Sequence, residues 1–208
     1  MMNFKKRYLW VLLAGCIALL AGCATTPRPN NVNNVCSIFR QYPKWYWATK
    51  AVQKKWGVPI PVTMAVMHQE SRFSAKAKPP RTKLLWIIPW KRPSSAYGYS
   101  QSLKGTWENY KNHSGNGWAD RDAFGDAADF IGWYAYQAKR KAGIPRNDAY
   151  KLYLAYHEGV GGYQRRTYLK KKWLIAVARK VKARANRYSS QLKSCESKLK
   201  RKPWYRFW

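Results

Sequence analysis

Acidic side chains are what this chain has least of: nine Asp and Glu stand against forty Lys and Arg, for a formal net charge of +31. With so few, the position of each carboxylate carries information. Histidine is scarcer still, and His68, His113 and His157 have no partners at metal-ligand spacing. Cys36 and Cys195 are far apart in sequence, so no metal site is expected. A phosphate-cradling glycine loop is also missing. Gly159, Gly161 and Gly162 follow a tyrosine-rich helical stretch and read as its C-terminal turn. No cofactor is expected on these grounds. Neither repeats nor a strand-rich pattern occurs, which leaves an all-α fold.

Aromatic residues are what the chain has in abundance. They make up 16% of it, with twelve Trp and fifteen Tyr, far too apolar a composition for a disordered basic protein. Most of these rings are expected in the core, and aromatics in such numbers also suit stacking on sugar rings. At 208 residues the chain supports one domain with a core, plus appendages.

The most informative carboxylate is Glu70, which closes the segment Pro61-Val-Thr-Met-Ala-Val-Met-His-Gln-Glu-Ser71. Pro61 suits the first turn of a helix, where its missing N–H is no loss. Val66 and Val62 lie four and eight residues before Glu70, and Met67 three before, so the carboxylate shares the apolar face. It also sits near the helix C-terminus, where the carbonyl end of the dipole disfavours negative charge. Partial burial acts in the same direction, and together these raise its pKa unless neighbouring cations cancel the shift. A carboxylic acid kept protonated near neutral pH is what general-acid cleavage of a glycosidic bond requires.

Around this segment the chain reads as a series of helices. Lys44 to Trp56 is one, stopped by Gly57 and Pro59. Asp122 to Ala142 is the clearest, with Phe124, Ala127, Ile131, Tyr134 and Ala138 on one face, Asp122 as its cap, and Gly143 and Pro145 as its stop. Asn147 or Asp148 caps a short helix running into Ala155 and Tyr156. A last helix, about Lys172 to Cys195, carries Leu174, Val177, Val181, Ala185, Tyr188, Leu192 and Cys195 along one face and Lys and Arg on the other. Residues 76–95 interrupt this pattern, with Leu84, Leu85, Trp86, Ile87, Ile88 and Trp90 packed between basic, proline-rich flanks. The 84–90 loop suits a membrane interface or a protein partner, or it folds down as an extra strand pair or core cover.

Two further segments turn Glu70 into part of a family pattern: Ala96-Tyr-Gly-Tyr-Ser-Gln101 and Tyr153-Leu-Ala-Tyr-His-Glu-Gly-Val-Gly-Gly162. The order Glu-Ser, Gly-x-x-Gln, Ala-Tyr-x-x-Gly resembles the soluble lytic transglycosylase family, with its goose-type lysozyme-like fold, over roughly residues 45–165. The resemblance implies a lysozyme-like helical domain over 41–195, with the 76–95 segment as an irregular or strand-pair insertion. It implies cleavage of the bond between N-acetylmuramic acid and N-acetylglucosamine in peptidoglycan, with 1,6-anhydromuramoyl ends as products and one Glu acting as acid and then base. Carried over, Glu70 is the acid/base and Ser71 its hydrogen-bond partner. Gln101 and Tyr99 contact the N-acetyl sugars, and Tyr156 hydrogen-bonds Glu70 or the reacting sugar. Where the family commonly has Met and Asn, this chain has Ser100 and His157. His157 can replace the Asn as a donor or titrate. Hydrolytic glycosidases usually need a second carboxylate, for which Glu108, Asp120 and Glu158 are the candidates. A hydrolytic muramidase is therefore the first alternative, and a non-catalytic peptidoglycan-binding assembly lipoprotein the second.

The termini read as addresses. Lys5-Lys-Arg7 and the apolar run Tyr8 to Leu20 form a signal peptide over residues 1–22, or else an uncleaved anchor. Leu20-Ala-Gly-Cys23 resembles a bacterial lipobox, which makes Cys23 the lipidated residue. Leu13-Ala-Gly-Cys16 has the same pattern but would leave a very short apolar region. Residues 23–40 then form a polar tether, and Ala24 is similar to the residue that follows the lipidated Cys in cargo held at the periplasmic face of an outer membrane. Export puts Cys36 and Cys195 in an oxidising compartment, where they pair across the fold or remain two free thiols. Removing residues 1–22 leaves 37 basic against nine acidic groups, a balance of +28. In an exported protein such a charge reads as attraction to wall carboxylates and membrane phosphates, and no nucleic-acid partner is expected. The basic, aromatic tail 196–208 suits membrane contact or docking on an envelope-complex protein, the alternative being a solvated end.

Overall fold

The computed structural model describes residues 26–84, 88, 89 and 91–200. Among the described residues, seven α-helices carry the fold: α1 Val35–Gln41, α2 Pro43–Trp56, α3 Ile60–Ser71, α4 Lys104–Ser114, α5 Phe124–Ala142, α6 Ala149–Gln164 and α7 Lys172–Leu199. A 3-10 turn, Thr167–Lys170, joins the last two. The fold is thus all-α, as expected. Within the 76–95 segment two short strands, β1 Lys83–Leu84 and β2 Ile88–Pro89, pair antiparallel with Leu84 opposite Ile88. The strand-pair reading of that segment holds. The apolar tip at 85–87 and Trp90 lie outside the described residues, as do the expected signal peptide, Cys16, the expected lipidation site Cys23 and the tail beyond Lys200.

Helix α3 sits at the centre, packed against α2, α5, α6 and α7. Its sequence explains why: Ile60, Val62, Met64, Ala65, Val66, Met67 and also Thr63, His68 and Ser71 are buried, so it is covered nearly all round. Close approach between α2 and α5 depends on Gly132, where an added Cβ would come within 2.6 Å of both Val52 and Trp56. α2 ends at Gly57 and α5 at Gly143, both with positive φ, as their sequence stops predict.

Four boundaries differ from expectation. The helix expected from Asp122 begins at Phe124, with no side-chain cap, because the Asp122 carboxylate instead accepts a hydrogen bond from the Tyr97 hydroxyl at 2.9 Å. Asp148 does cap α6, accepting from the Lys151 amide at 3.0 Å. Gly159 does not end α6; it has φ 73 and ψ 157 and forms a kink inside it. The tether expected over 23–40 is shorter, since Val35–Gln41 is a helix whose Val35, Ile38 and Phe39 are fully buried. Even Asn33 is tied down, through Arg184 at 2.9 Å and Gln191 at 3.1 Å. Likewise α7 runs four residues past Cys195, and Glu196 belongs to the fold: it accepts from Tyr46 at 3.1 Å and pairs with Lys50 at 3.4 Å. Both new boundaries arise from tertiary partners far away in sequence.

Cys36 and Cys195 form a disulfide with their Cα atoms 6.1 Å apart, closing α1 onto α7 across 159 residues. A loop of that length removes about 5 kcal/mol of chain entropy from the unfolded state in the simplest model.

Candidate active site

Glu70 occupies the penultimate position of α3, on the side that faces α6. The helix stops immediately after it. Arg72 takes the left-handed conformation as C-cap, its amide returning to the His68 carbonyl at 2.9 Å, and Phe73 follows with φ 62. Two successive non-glycine residues with positive φ are unfavourable by roughly 1 kcal/mol or more each. The complete burial of Phe73 against Trp45 and His68 offsets this. The turn thus places a carboxyl at the open end of a buried helix.

All nine acidic residues fall within the described residues, so the surroundings of each can be compared. Five have a cation within salt-bridge distance: Glu108, Asp129, Asp148, Glu158 and Glu196. Asp122 and Asp126 accept hydrogen bonds from Tyr97 and from Asn116 and the Asp120 amide, and Asp120 is exposed. Glu70 is half-buried, meets a tyrosine hydroxyl and, like Asp122, has no cation within salt-bridge distance among the described residues. Burial pushes its carboxyl up to about 7, and the hydrogen bond from the Tyr153 hydroxyl moderates the rise. Among the described residues, the cancelling cations left open by the sequence do not materialise.

The Tyr153 hydroxyl is therefore the group that holds Glu70, a role expected of Tyr156. Tyr156 donates instead to the Ser100 carbonyl at 2.7 Å, its ring edge-on to Tyr134 at 4.9 Å. Tyr134 in turn donates to the Ala155 carbonyl at 2.6 Å. Both Tyr153 and Tyr156 are pushed well above the usual phenol range by burial first and the Glu70 charge second, so both remain donors. Tyr153 precedes Tyr156 by three residues and shares its helix face, and that spacing was the available signal for it.

Ser71 also differs from expectation. Its hydroxyl lies 2.7 Å from the Tyr99 carbonyl and 3.3 Å from that of Met67, so it pins the Gly-x-x-Gln loop to α3 instead of touching Glu70. Tyr99 is not at a substrate surface: it is 1% exposed, edge-on to Trp45 and Phe124. The loop's conformation rests on Gly98, at φ +76, where a Cβ would meet the Arg121 carbonyl oxygen at 2.0 Å. Gln101 has φ 49, and its amide nitrogen donates to the Ala77 and Gly98 carbonyls, both at 2.9 Å. Both amide protons are thus committed to the loop, and its carbonyl oxygen is the group left to accept from a sugar.

His157 and Glu158 form a separate cluster. The Glu158 side chain is 3% exposed and accepts from Lys171 at 2.7 Å, from Thr167, and pairs with His157 Nδ1 at 3.0 Å. Lys171 and Thr167 hold its carboxyl down at about 2. So weak a base, fully engaged, is a poor activator of water. Trp173, largely exposed, stands edge-on to the exposed His157 at 5.1 Å. Among the described residues no group of three or more His, Cys, Asp or Glu side chains is placed to hold a metal ion.

An all-α, lysozyme-like domain with one elevated carboxyl at the end of its central helix is the class that fold and site define. A family model described as the transglycosylase SLT domain matches residues 11–195. The chain belongs to the transglycosylase SLT domain family. That membership supports a lytic transglycosylase type of enzyme, with peptidoglycan as its substrate class. No curated protein and no solved structure matches the chain.

Proposed function

We propose that the protein cleaves the bond between N-acetylmuramic acid and N-acetylglucosamine in peptidoglycan by a lytic transglycosylase reaction with Glu70 as its acid and then its base. The observation that carries this is the contrast in carboxyls: Glu70 is held protonated near neutral pH, and Glu158 is engaged by Lys171 and Thr167. Glu70 gives its proton to the glycosidic oxygen as the bond from that oxygen to muramoyl C1 breaks. Positive charge spreads over C1 and the ring oxygen, and the substrate's own N-acetyl group steadies it. The Glu70 carboxylate then takes the proton of the muramoyl C6 hydroxyl while O6 bonds to C1. The anhydro ring closes, Glu70 regains its proton, and no water is consumed. Tyr153 holds the carboxyl in place through both steps. Gln101 accepts from an N-acetyl amide, and the exposed His157 and Trp173 contact the glycan strand.

The same reading places the protein in a bacterial cell envelope, held by a lipid on Cys23 at the periplasmic face of an outer membrane. Its positive balance draws it to wall and membrane, and an envelope-complex protein is a further partner for the tail. The test is digestion of purified peptidoglycan sacculi by the parent and by Glu70→Gln, with products weighed by mass spectrometry. Anhydromuropeptides from the parent alone are expected. Reducing-end products overturn the reading in favour of a muramidase, and binding without products in favour of a sugar-binding scaffold.

A further inference from the structure

A cavity of about 420 Å³ lies between α3 and α7, lined by His68, Gln69, Arg72, Val177, Lys180, Ala183, Arg184 and Arg187. It is distinct from the α6-facing side of α3. Lys180, Arg184 and Arg187 follow one another at spacings of four and three, so they form a single row beside the buried stripe of α7. Arg72 is aimed from the opposite wall by the left-handed cap of α3. No acidic side chain lines the cavity, and none of Arg72, Lys180, Arg184 or Arg187 has a carboxylate partner among the described residues. Arg184 is partly occupied by Asn33 at 2.9 Å.

His68 supplies the second observation. It is 5% exposed, lines this cavity, and its Nδ1 finds no hydrogen-bond partner among the described residues. A buried polar nitrogen left without a partner costs about 1–3 kcal/mol and calls for a ligand. Around it stand Arg72 from α3 and Lys180, Arg184 and Arg187 from α7, with the Phe73 ring edge-on at 5.8 Å. Burial first, then Arg184, Arg72 and Arg187, depress its imidazole to about 4. An anion in the cavity reverses the electrostatic part of that depression, and a protonated ring presents Nδ1–H as one more donor.

We infer that the cavity formed by His68, Arg72, Lys180, Arg184 and Arg187 binds a phosphate group, inorganic or carried on an envelope lipid. Four cations converging on one space match a dianion; a single carboxylate would leave most of that charge uncompensated. The site goes beyond the glycan-cleaving reading and stands whether or not Glu70 acts as proposed.

Calorimetric titration of the full-length chain with inorganic phosphate, against chloride at matched ionic strength, tests it. Saturable binding of one phosphate is expected, weakened about tenfold or more in Arg72→Gln/Arg187→Gln and less in Lys180→Gln, as charge-assisted contacts are lost. The double variant Lys193→Gln/Lys198→Gln removes equal charge outside the cavity and should bind as the parent does. In NMR titrations, phosphate should raise the His68 pKa by about one unit or more. Vesicles of phosphatidylglycerol that displace phosphate from the parent identify a lipid headgroup as the source. Vesicles that do not displace it identify free phosphate, and both results uphold the site. No saturable binding, equal loss in the Lys193/Lys198 control, or acetate binding as tightly as phosphate overturns it.

Discussion

Glu70 and Glu158 are both carboxylates withdrawn from water beside α6, and the protein drives them in opposite directions. Glu70 meets the Tyr153 hydroxyl and no cation, and its carboxyl rises to about 7. Glu158 meets Lys171, Thr167 and His157, and falls to about 2. Burial raises both; partners decide the outcome. A carboxyl that is to give up and retake a proton near neutral pH has to be buried without a counter-ion. One that ties a helix to the following turn is most useful ionised and paired.

The sharpest way to break this comparison is to exchange the acid for an amide. Glu70→Gln is expected to lower release of peptidoglycan fragments by about a thousandfold or more, read by mass spectrometry, since general-acid and base roles are both lost. Glu158→Gln, by contrast, should retain the product type.

Next in size is the loss of the counter-ion. Lys171→Met leaves Glu158 withdrawn from water and without its closest cation, and should destabilise the protein by about 2 kcal/mol in denaturant unfolding at pH 7. That is below the roughly 3–5 kcal/mol of a fully buried broken pair, because Lys171 is substantially exposed. The sign follows from the depressed carboxyl. The contribution of Glu158 is present above its unfolded pKa near 4.5, and is lost as pH falls towards about 2.

Glu70 gives the opposite slope. Its native carboxyl keeps a proton that the unfolded chain releases, so stability declines as pH rises from 4.5 through about 7. Glu70→Gln should remove that decline and be more stable than the parent at pH 8 by roughly 3 kcal/mol, checked by unfolding curves at pH 4 and pH 8. Parent activity should fall on the alkaline side of about pH 7 as the general acid ionises.

The smallest expected effect sharpens the comparison. Tyr153 lowers the Glu70 carboxyl by hydrogen bonding its ionised form. Tyr153→Phe should therefore move the alkaline limb of the rate profile up by about half a pH unit, with a rate loss of about tenfold or less. An unmoved limb would place the control of Glu70 elsewhere.

Much of this was legible in the sequence, because periodicity and punctuation are local. The stripe of α7, the stops at Gly57 and Gly143, a cap at Asn147 or Asp148 and the apolar face bearing Glu70 all follow from spacing. What spacing did not reveal was which hydroxyl meets which carbonyl. Ser71, Tyr99 and Tyr156 carry the family motifs, yet their bonds and packing hold the scaffold, and the contact with Glu70 comes from Tyr153. Asp122 shows the same limit: a sound cap candidate was taken by Tyr97, twenty-five residues back in sequence.

The sequence by itself determined an all-α chain with one acid on the apolar face of a helix, and two cysteines able to close its ends. Those properties depend on residue type and on spacings of three, four and seven, which the helix converts directly into faces. Only the tertiary structure decided that Glu70 would meet no cation while Glu158 met Lys171, and that His68 would face Arg72, Lys180, Arg184 and Arg187. In a chain with forty basic residues, the charge surrounding any one group is set by how the helices and the turns between them pack, which brings together residues that are not neighbours in sequence.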